Sequence, residues 1–478
     1  MGDDYGALPP KGLKVVLEHT SVNPTGPIHV GRARNPILGD SLVRIMRKAG
    51  YEVSSEFYVN DVGKQVVMLA WGVLNIPEEG TGGTEKEQAE GGDSEKPDHE
   101  FVRFYQRANE LYEKDPQVKD EVDLMLQRYE RGDAHLINEV SAIVRTMLDG
   151  MLASLGAINV TLDRFVWESE FLRNDRVRGV VEDLRKSEWC REDDGALYLD
   201  ISSFVPGQEK YYITRADGTS LYTVRDMTYH LDKFGRCDLA INVLGEDQKL
   251  GMEALKVGLK LLGSDKAPEN IFYSFVSLPE GRMSTRKGVV VYLDNLVEEA
   301  LERAMGEIRK RRSDLGQKEM EAIARVVGVG AIRYNIVRVQ AEKSIVFRWD
   351  EALSFEGNSA PFVQYAHARC HGILKNVEGP AGGAPDHSRL GHPNEKALVK
   401  VLSRFPWIVG ECAEMRKAHT MASYAYGTAS AFNLFYRDCP VLQTEEKLRR
   451  PRLALVESTK IVLRNALDLL GIEAPDSM

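Results

Sequence analysis

The sequence predicts an α/β half built on a parallel sheet, interrupted by a helical insertion and followed by an all-α bundle. Three observations carry that reading. Residues 13–75 alternate strand, turn and helix; residues 101–155 switch to helical periodicity among dense charges; and from about Leu293 one helical pattern follows another. With 478 residues the chain has room for two or three domains, each with its own core.

The elements follow in order. Residues 13–17 read as a hydrophobic strand ending in turn chemistry, and the tetrad His29-Val30-Gly31-Arg32 opens a helix carried by Leu38, Leu42, Ile45 and Met46. A second strand spans 53–59, followed by the turn Asn60-Asp61-Val62-Gly63 and a helix from Lys64. Residues 77–98 are acidic and aperiodic, which is the composition of a surface loop. The helical insertion runs over 99–160, with Leu124, Leu126, Leu136, Ile137 and Val140 recurring. Phe165-Val166-Trp167 forms a strand leading to Glu168-Ser169, and β-like runs at 196–201 and 210–214 flank the turn Ala216-Asp217-Gly218. A buried strand at 239–244 ends at Gly245, with Glu246-Asp247-Gln248 and a helix behind it, and the last strand is 272–278. From there strands vanish, and helices are expected at 294–312, 317–340, 358–377, 394–421, 424–437 and 445–470, broken by a Gly/Pro-rich loop at 379–393.

Composition narrows the function. No apolar run approaches the roughly eighteen residues of a membrane span, and the Met-Gly-Asp-Asp start is acidic where an export signal is basic. A cytoplasmic chain without membrane contact is expected. The cysteines (Cys190, Cys237, Cys370, Cys412, Cys439) are scattered without a C-x-x-C pair, which argues against structural zinc and disulfides; no metal ligand set is expected. A net charge of −10 confines any nucleic-acid contact to local basic patches. Residues 303–348 hold eleven Lys/Arg against five Asp/Glu, including the run 309–312. Such a run is ordinarily a solvated helix face.

Two segments carry chemistry. A strand, a Gly/Pro turn and a helix N-terminus present backbone N–H groups and a positive dipole end to a phosphate. His29 adds a donor there, and Gly31 lets a nucleotide lie close to the chain; alone, a histidine that merely caps the helix fits equally well. The second segment, Arg282-Met283-Ser284-Thr285-Arg286-Lys287-Gly288, is a basic loop of the kind that clamps phosphates as charge builds on a leaving group.

On these residues the chain resembles a class I aminoacyl-tRNA synthetase, with His29-Val30-Gly31-Arg32 at the His-Ile-Gly-His signature and 282–286 at the Lys-Met-Ser-Lys-Ser loop. Within that class it is similar to the arginyl-tRNA synthetases of archaeal type. The likeness rests on Ser21, Asn23, Pro24 and Pro27, on the segments 58–65 (YVNDVGKQ) and 221–226 (LYTVRD), and on the end Gly471-Ile472-Glu473-Ala474-Pro475. Family members usually carry an extra domain ahead of the first strand; about a dozen residues precede that strand here, which fits a fragment and a naturally compact enzyme alike.

The resemblance implies a lead at 1–12, a Rossmann-like class I catalytic domain at 13–292, a helical region at 293–340 that contacts the tRNA stem, and an all-α anticodon-binding domain of DALR type at 341–478. It implies ATP-dependent ligation of L-arginine to tRNA(Arg), with Mg2+ accompanying ATP, no tightly bound cofactor, arginine activation only with tRNA bound, and a monomer. Ser21 and Asn23 would hold the amino and carboxylate ends of arginine. Glu18, Tyr222 and Asp226 would surround its guanidinium and Gln248 would close the pocket, with Glu168 as an outer candidate. Carboxylates and aromatic faces suit a planar cationic fork; without the resemblance, Asp226 reads as a capping or ion-pairing residue and Tyr222 as core.

His29, Gly31 and Arg32 would contact ATP, Gly245 would admit the adenine edge, Met283 and Ser284 would frame the clamp, and Arg286 and Lys287 would supply its charge. The catalytic set is then His29, Arg32, Arg286 and Lys287. Arg32 and Thr285 replace the second histidine and second lysine of the signatures, and Gly26 stands where family members often carry a compensating lysine. These departures also admit a tRNA-binding or regulatory paralogue impaired in catalysis. In the bundle, residues 364–369 (QYAHAR) and the aromatics Tyr424, Tyr426, Phe432, Phe435 and Tyr436 sit where anticodon bases would stack, although most are expected to be core and His367 a packing residue.

Overall fold

The computed structural model describes residues 2–78, 96–279, 291–312, 314–377 and 384–478. Most of the acidic loop and the basic segment at 282–288, with Met283, Ser284, Arg286 and Lys287, lie outside the described residues.

The described strands, in chain order, are β1 (Lys14–Glu18), β2 (Glu52–Val59), β3 (Arg164–Trp167), β4 (Cys190–Asp193), β5 (Ala196–Asp200), β6 (Lys210–Tyr212), β7 (Leu239–Gly245), β8 (Glu269–Tyr273), β9 (Val276–Ser277) and β10 (Ile345–Val346). The central sheet has the order β3-β2-β1-β7-β8 and every pairing in it is parallel. β1 lies at its middle, and Val15, Val16 and Leu17 are all buried, as expected of a strand covered on both faces. From β1 the chain first builds outward through β2 and β3 and later returns to β1's other side with β7. The C-terminal ends of β1 and β7 therefore form a topological switch point, where open parallel sheets bind ligands.

Helices Pro97–Lys114, Pro116–Glu130 and Ala134–Ala157 form the insertion between β2 and β3. Asp115 and Asp133 cap the second and third by accepting from Gln117 N (2.9 Å) and His135 N (3.1 Å). Ala134–Ala157 is long and apolar enough to pass for a membrane span by length and composition. Charges interrupt it, and Leu136, Val140, Val144, Met147 and Met151 are buried in the core. A three-stranded antiparallel sheet, β4-β5-β6, turns Leu197, Leu199 and Tyr211 into a second apolar cluster under helix Tyr222–Arg236.

The structure corrects several sequence expectations. The His29 tetrad opens a 3-10 turn, Val30–Arg32, and the α-helix begins only at Arg34. The expected last strand at 272–278 is two pieces, β8 and β9, because the Ser274 carbonyl between them accepts from Arg34 Nη1 (2.8 Å). The expected helix 317–340 ends at Val337, because the carbonyls of Val339 and Gln340 also turn to Arg34 (3.2 and 2.6 Å). Strands do not vanish after Leu293, since β10 pairs with β9. Residues 394–421 are not one helix but Pro393–Ser403, Phe405–Met415 and the start of Ala418–Asp438. Pro406 begins the second, and Arg416 in left-handed conformation (φ 55°) ends it. β4 was not anticipated, and neither was helix Tyr222–Arg236.

Candidate active site

β1 ends at Glu18, and the chain reverses through His19 and Thr20, the latter at φ 71°. That conformation is costly for a β-branched residue. Asn35 holds it: Oδ1 accepts from Thr20 N (2.9 Å) while Nδ2 donates to Val243 O (3.1 Å) on β7. The loop 21–28 then delivers His29 as the cap of the 3-10 turn, with Nδ1 accepting from Gly31 N (2.9 Å). A neutral imidazole that accepts at Nδ1 carries its proton on Nε2, so the capping role and the donor role coexist. Burial, with the Arg32 charge adding to it, lowers the His29 pKa below the usual 6.5. Arg32 is exposed and Gly31 buried. The chain re-entering at Val291 pairs directly with this turn, through Val30 N to Val291 O (3.0 Å) and Leu293 N to Ile28 O (2.7 Å).

Helix Tyr222–Arg236 lays one face over the C-terminal ends of β1 and β2. Tyr222, Asp226, Tyr229 and Lys233 recur at helical spacing along it. The buried Lys233 ammonium donates to Glu18 Oε2 and to Asn242 Oδ1 (2.8 Å), and Ser21 Oγ donates to Glu18 Oε1 (2.8 Å). Tyr229 stacks on Tyr58 (4.5 Å, 17°) and donates to Glu56 Oε2 (3.1 Å), which Arg236 also neutralises. Nearer the open end, Tyr222 is 67% exposed, and Asp226 Oδ1 lies 3.0 Å from His230 Nδ1.

These contacts sort the carboxylates. Glu18 has both oxygens engaged by Lys233 and Ser21. Glu168 is paired with Arg225 Nε through Oε1 and faces the Asn60 amide nitrogen at 2.6 Å through Oε2. Its burial still raises its pKa to about 7 against the Arg225 charge. Asp226 has no Lys or Arg partner among the described residues and is partly open to solvent. The Tyr58 hydroxyl is buried without a hydrogen-bond partner among the described residues, and burial, with Glu168 and Asp226 nearby, raises its pKa well above 10.

The other expected residues lie at the same edge. Asn23 is exposed and donates to Gln65 Oε1 (2.6 Å). Gly245 ends β7, where a Cβ would run into the Asp247 carboxylate, and Gln248 closes the following 3-10 turn, exposed. Sequence reasoning missed Arg34, Asn35, Tyr58, His230, Lys233 and Asn242. A signal existed for three of them, since Arg34 and Asn35 lie within three residues of the end of the His29 tetrad and Tyr58 opens the segment 58–65. Behind the turn, Asp98, His99 and Asp294 lie within ligating reach of one another, with the Lys96 ammonium 2.7 Å from Asp294. In the bundle His367 is buried against Pro475 O (2.8 Å), Phe432 and Phe435 are core, and Tyr436 is exposed.

A 3-10 turn at the switch point of a parallel sheet, carrying the His-x-Gly signature and followed by an α-helical bundle, defines a class I aminoacyl-tRNA synthetase. Residues 4–349 match the model of the tRNA synthetases class I (R) catalytic domain, and residues 363–478 that of the DALR anticodon binding domain. The chain belongs to the arginyl-tRNA synthetase family. It is 48% identical over 471 residues to the arginine--tRNA ligase of Methanocella arvoryzae, covering 98% of this chain and 82% of that one. It is 44% identical over 477 residues to that of Methanothermobacter thermautotrophicus, covering 100% and 82%. The Thermus thermophilus arginyl-tRNA synthetase superposes with a TM-score of 0.84 at 32% identity, over 99% of this chain and 84% of that one.

Proposed function

We propose that the chain is an arginine--tRNA ligase that seats arginine between the ends of β1 and β2 and helix Tyr222–Arg236, with ATP on the 29–32 turn. In the first step an arginine carboxylate oxygen attacks the α-phosphorus of ATP, and pyrophosphate leaves. In the second, a ribose hydroxyl of the tRNA(Arg) terminal adenosine attacks the adenylate carbonyl, and AMP leaves. His29 Nε2–H and the Arg32 guanidinium meet the charge that builds on the phosphates, alongside the N–H groups of the helix start. An arginine in place of the second signature histidine supplies that charge without needing protonation. Mg2+ enters with ATP, held by phosphate oxygens and water. Such a chain works where translation occurs, in the cytoplasm.

Asp226 carries the amino-acid reading. Glu18, Glu56 and Glu168 each have a cation already, whereas Asp226 is partly open to solvent and has no Lys or Arg partner among the described residues. A guanidinium supplies that missing charge and fills the fork geometry. Ser21, Asn23 and Gln248 stand at the same edge to take the amino acid's other end and close the pocket, and Tyr222 offers a ring face. The test is pyrophosphate exchange with arginine and tRNA(Arg). Asp226→Asn should raise the arginine KM by about two orders of magnitude while leaving the ATP KM within a few-fold. An unchanged arginine KM would remove this pocket.

A further inference from the structure

Beneath the pocket runs a continuous chain of hydrogen bonds that the chemistry above does not use. It starts at Ser21 and Glu18, passes through the Lys233 ammonium to Asn242 Oδ1 (2.8 Å), and continues from Asn242 Nδ2 to His230 Nε2 (2.9 Å). It ends at Asp226, whose carbonyl and Oδ1 lie 2.9 and 3.0 Å from His230 Nδ1. Glu18, Lys233, Asn242 and His230 are all buried, so water does not compete for these contacts.

The donors and acceptors in this chain leave one arrangement. A lysine ammonium only donates, so Asn242 must turn its oxygen toward Lys233. Its NH2 group then faces His230 Nε2 and Asn270 Oδ1 (3.0 Å), and both must accept. An imidazole that accepts at Nε2 carries its proton on Nδ1, and that proton points at Asp226. A buried lysine one turn further along the same helix thus sets, through Asn242, the tautomer of the histidine beside the Asp226 carboxylate.

We propose that Lys233, Asn242 and His230 are positioning residues for arginine recognition. The His230 Nδ1–H is shared between the Asp226 main-chain carbonyl (2.9 Å) and Oδ1 (3.0 Å), which tethers the carboxylate and restrains its plane, leaving the remaining lone pairs for the guanidinium. A planar fork needs that plane fixed, whereas a point charge does not. This inference rests on the reading of Asp226 given above and assigns the residues that make it specific.

Two side chains separate this role from simple packing. Asparagine places an amide N–H where His230 Nδ1–H sits, and glutamine places one at the Nε2 position, facing Asn242. With the full chain and tRNA(Arg), His230→Gln should raise the arginine KM about tenfold, the worth of one charge-assisted hydrogen bond. The ATP KM should stay unchanged and kcat should remain within a few-fold. His230→Asn should stay within about threefold of the parent. In the unsubstituted protein, nitrogen NMR of labelled histidine should show His230 as the Nδ1–H tautomer, a readout that does not depend on any variant folding. Equal KM values for the two variants, or an Nε2–H tautomer, would overturn the relay. Asp226→Asn is the comparator: if it leaves the arginine KM unchanged the pocket reading falls, and if it raises KM while His230→Gln does not, only the relay falls.

Discussion

Arg333 donates from Nη2 to Asp40 Oδ2 at 2.5 Å, and both side chains are buried. Its Nε and Nη1 reach the carbonyls of Leu470 and Ile158, each at 2.7 Å. One guanidinium therefore fastens helix Gln317–Val337 to the helix that follows the 29–32 turn, to the end of the insertion and to the C-terminal segment. Gly471 makes room for it at φ 68°, where a Cβ would run into the guanidinium.

Removing one partner of a buried pair leaves the other uncompensated. Arg333→Met is therefore expected to lower stability by roughly 3–5 kcal/mol in urea unfolding. Gly471→Ala should also destabilise, through both the clash and the left-handed backbone. The two effects should combine less than additively, because they share one contact. A loss below about 1 kcal/mol for Arg333→Met would show the pair to be dispensable.

His29→Ala should slow pyrophosphate exchange by about 10²–10³, the usual cost of losing one donor to developing oxyanion charge. Burial lowers the His29 pKa below 6.5, so the folded state favours the neutral ring. Its contribution to stability is present above the unfolded value of 6.5 and fades as pH falls through the lower folded value. The Nε2–H donor is therefore in place at neutral pH, and any acid limb in the exchange rate due to His29 should lie below pH 6.5. A limb centred above that value would contradict the assignment.

Glu168 works in the opposite sense. Burial raises its pKa from 4.5 to about 7, so between those values the folded state holds a proton that the unfolded chain has released. Stability from this group is complete below 4.5 and is lost as pH rises through about 7. Unfolding curves at pH 5 and pH 8 should show the parent losing ground to Glu168→Gln over that interval. Parallel behaviour of the two proteins would show that Arg225 keeps Glu168 ionised throughout.

What the sequence disclosed was local. The β1 run, the His29 tetrad, the strand before Gly245 and the helical character of the second half each depend on a few neighbouring residues, and the structure has them close to their expected places. Contacts between distant segments were hidden. Nothing near Arg333 or Lys233 distinguishes a cation buried against Asp40 or Glu18 from one on a solvated face, and Arg333 falls within the basic stretch 303–348. The early end of helix Gln317–Val337 and the split between β8 and β9 both trace to Arg34, which lies more than two hundred residues before either of them. The Glu18–Lys233 pair was hidden in the same way, because the two residues lie 215 positions apart.

The most direct measurement is a crystal structure with a non-hydrolysable arginyl-adenylate analogue. The account predicts the guanidinium paired with Asp226 above the Glu18–Lys233 floor, and the phosphate mimic against His29 Nε2 and the Gly31 backbone. A guanidinium bound away from Asp226, or a phosphate mimic away from that turn, would contradict it.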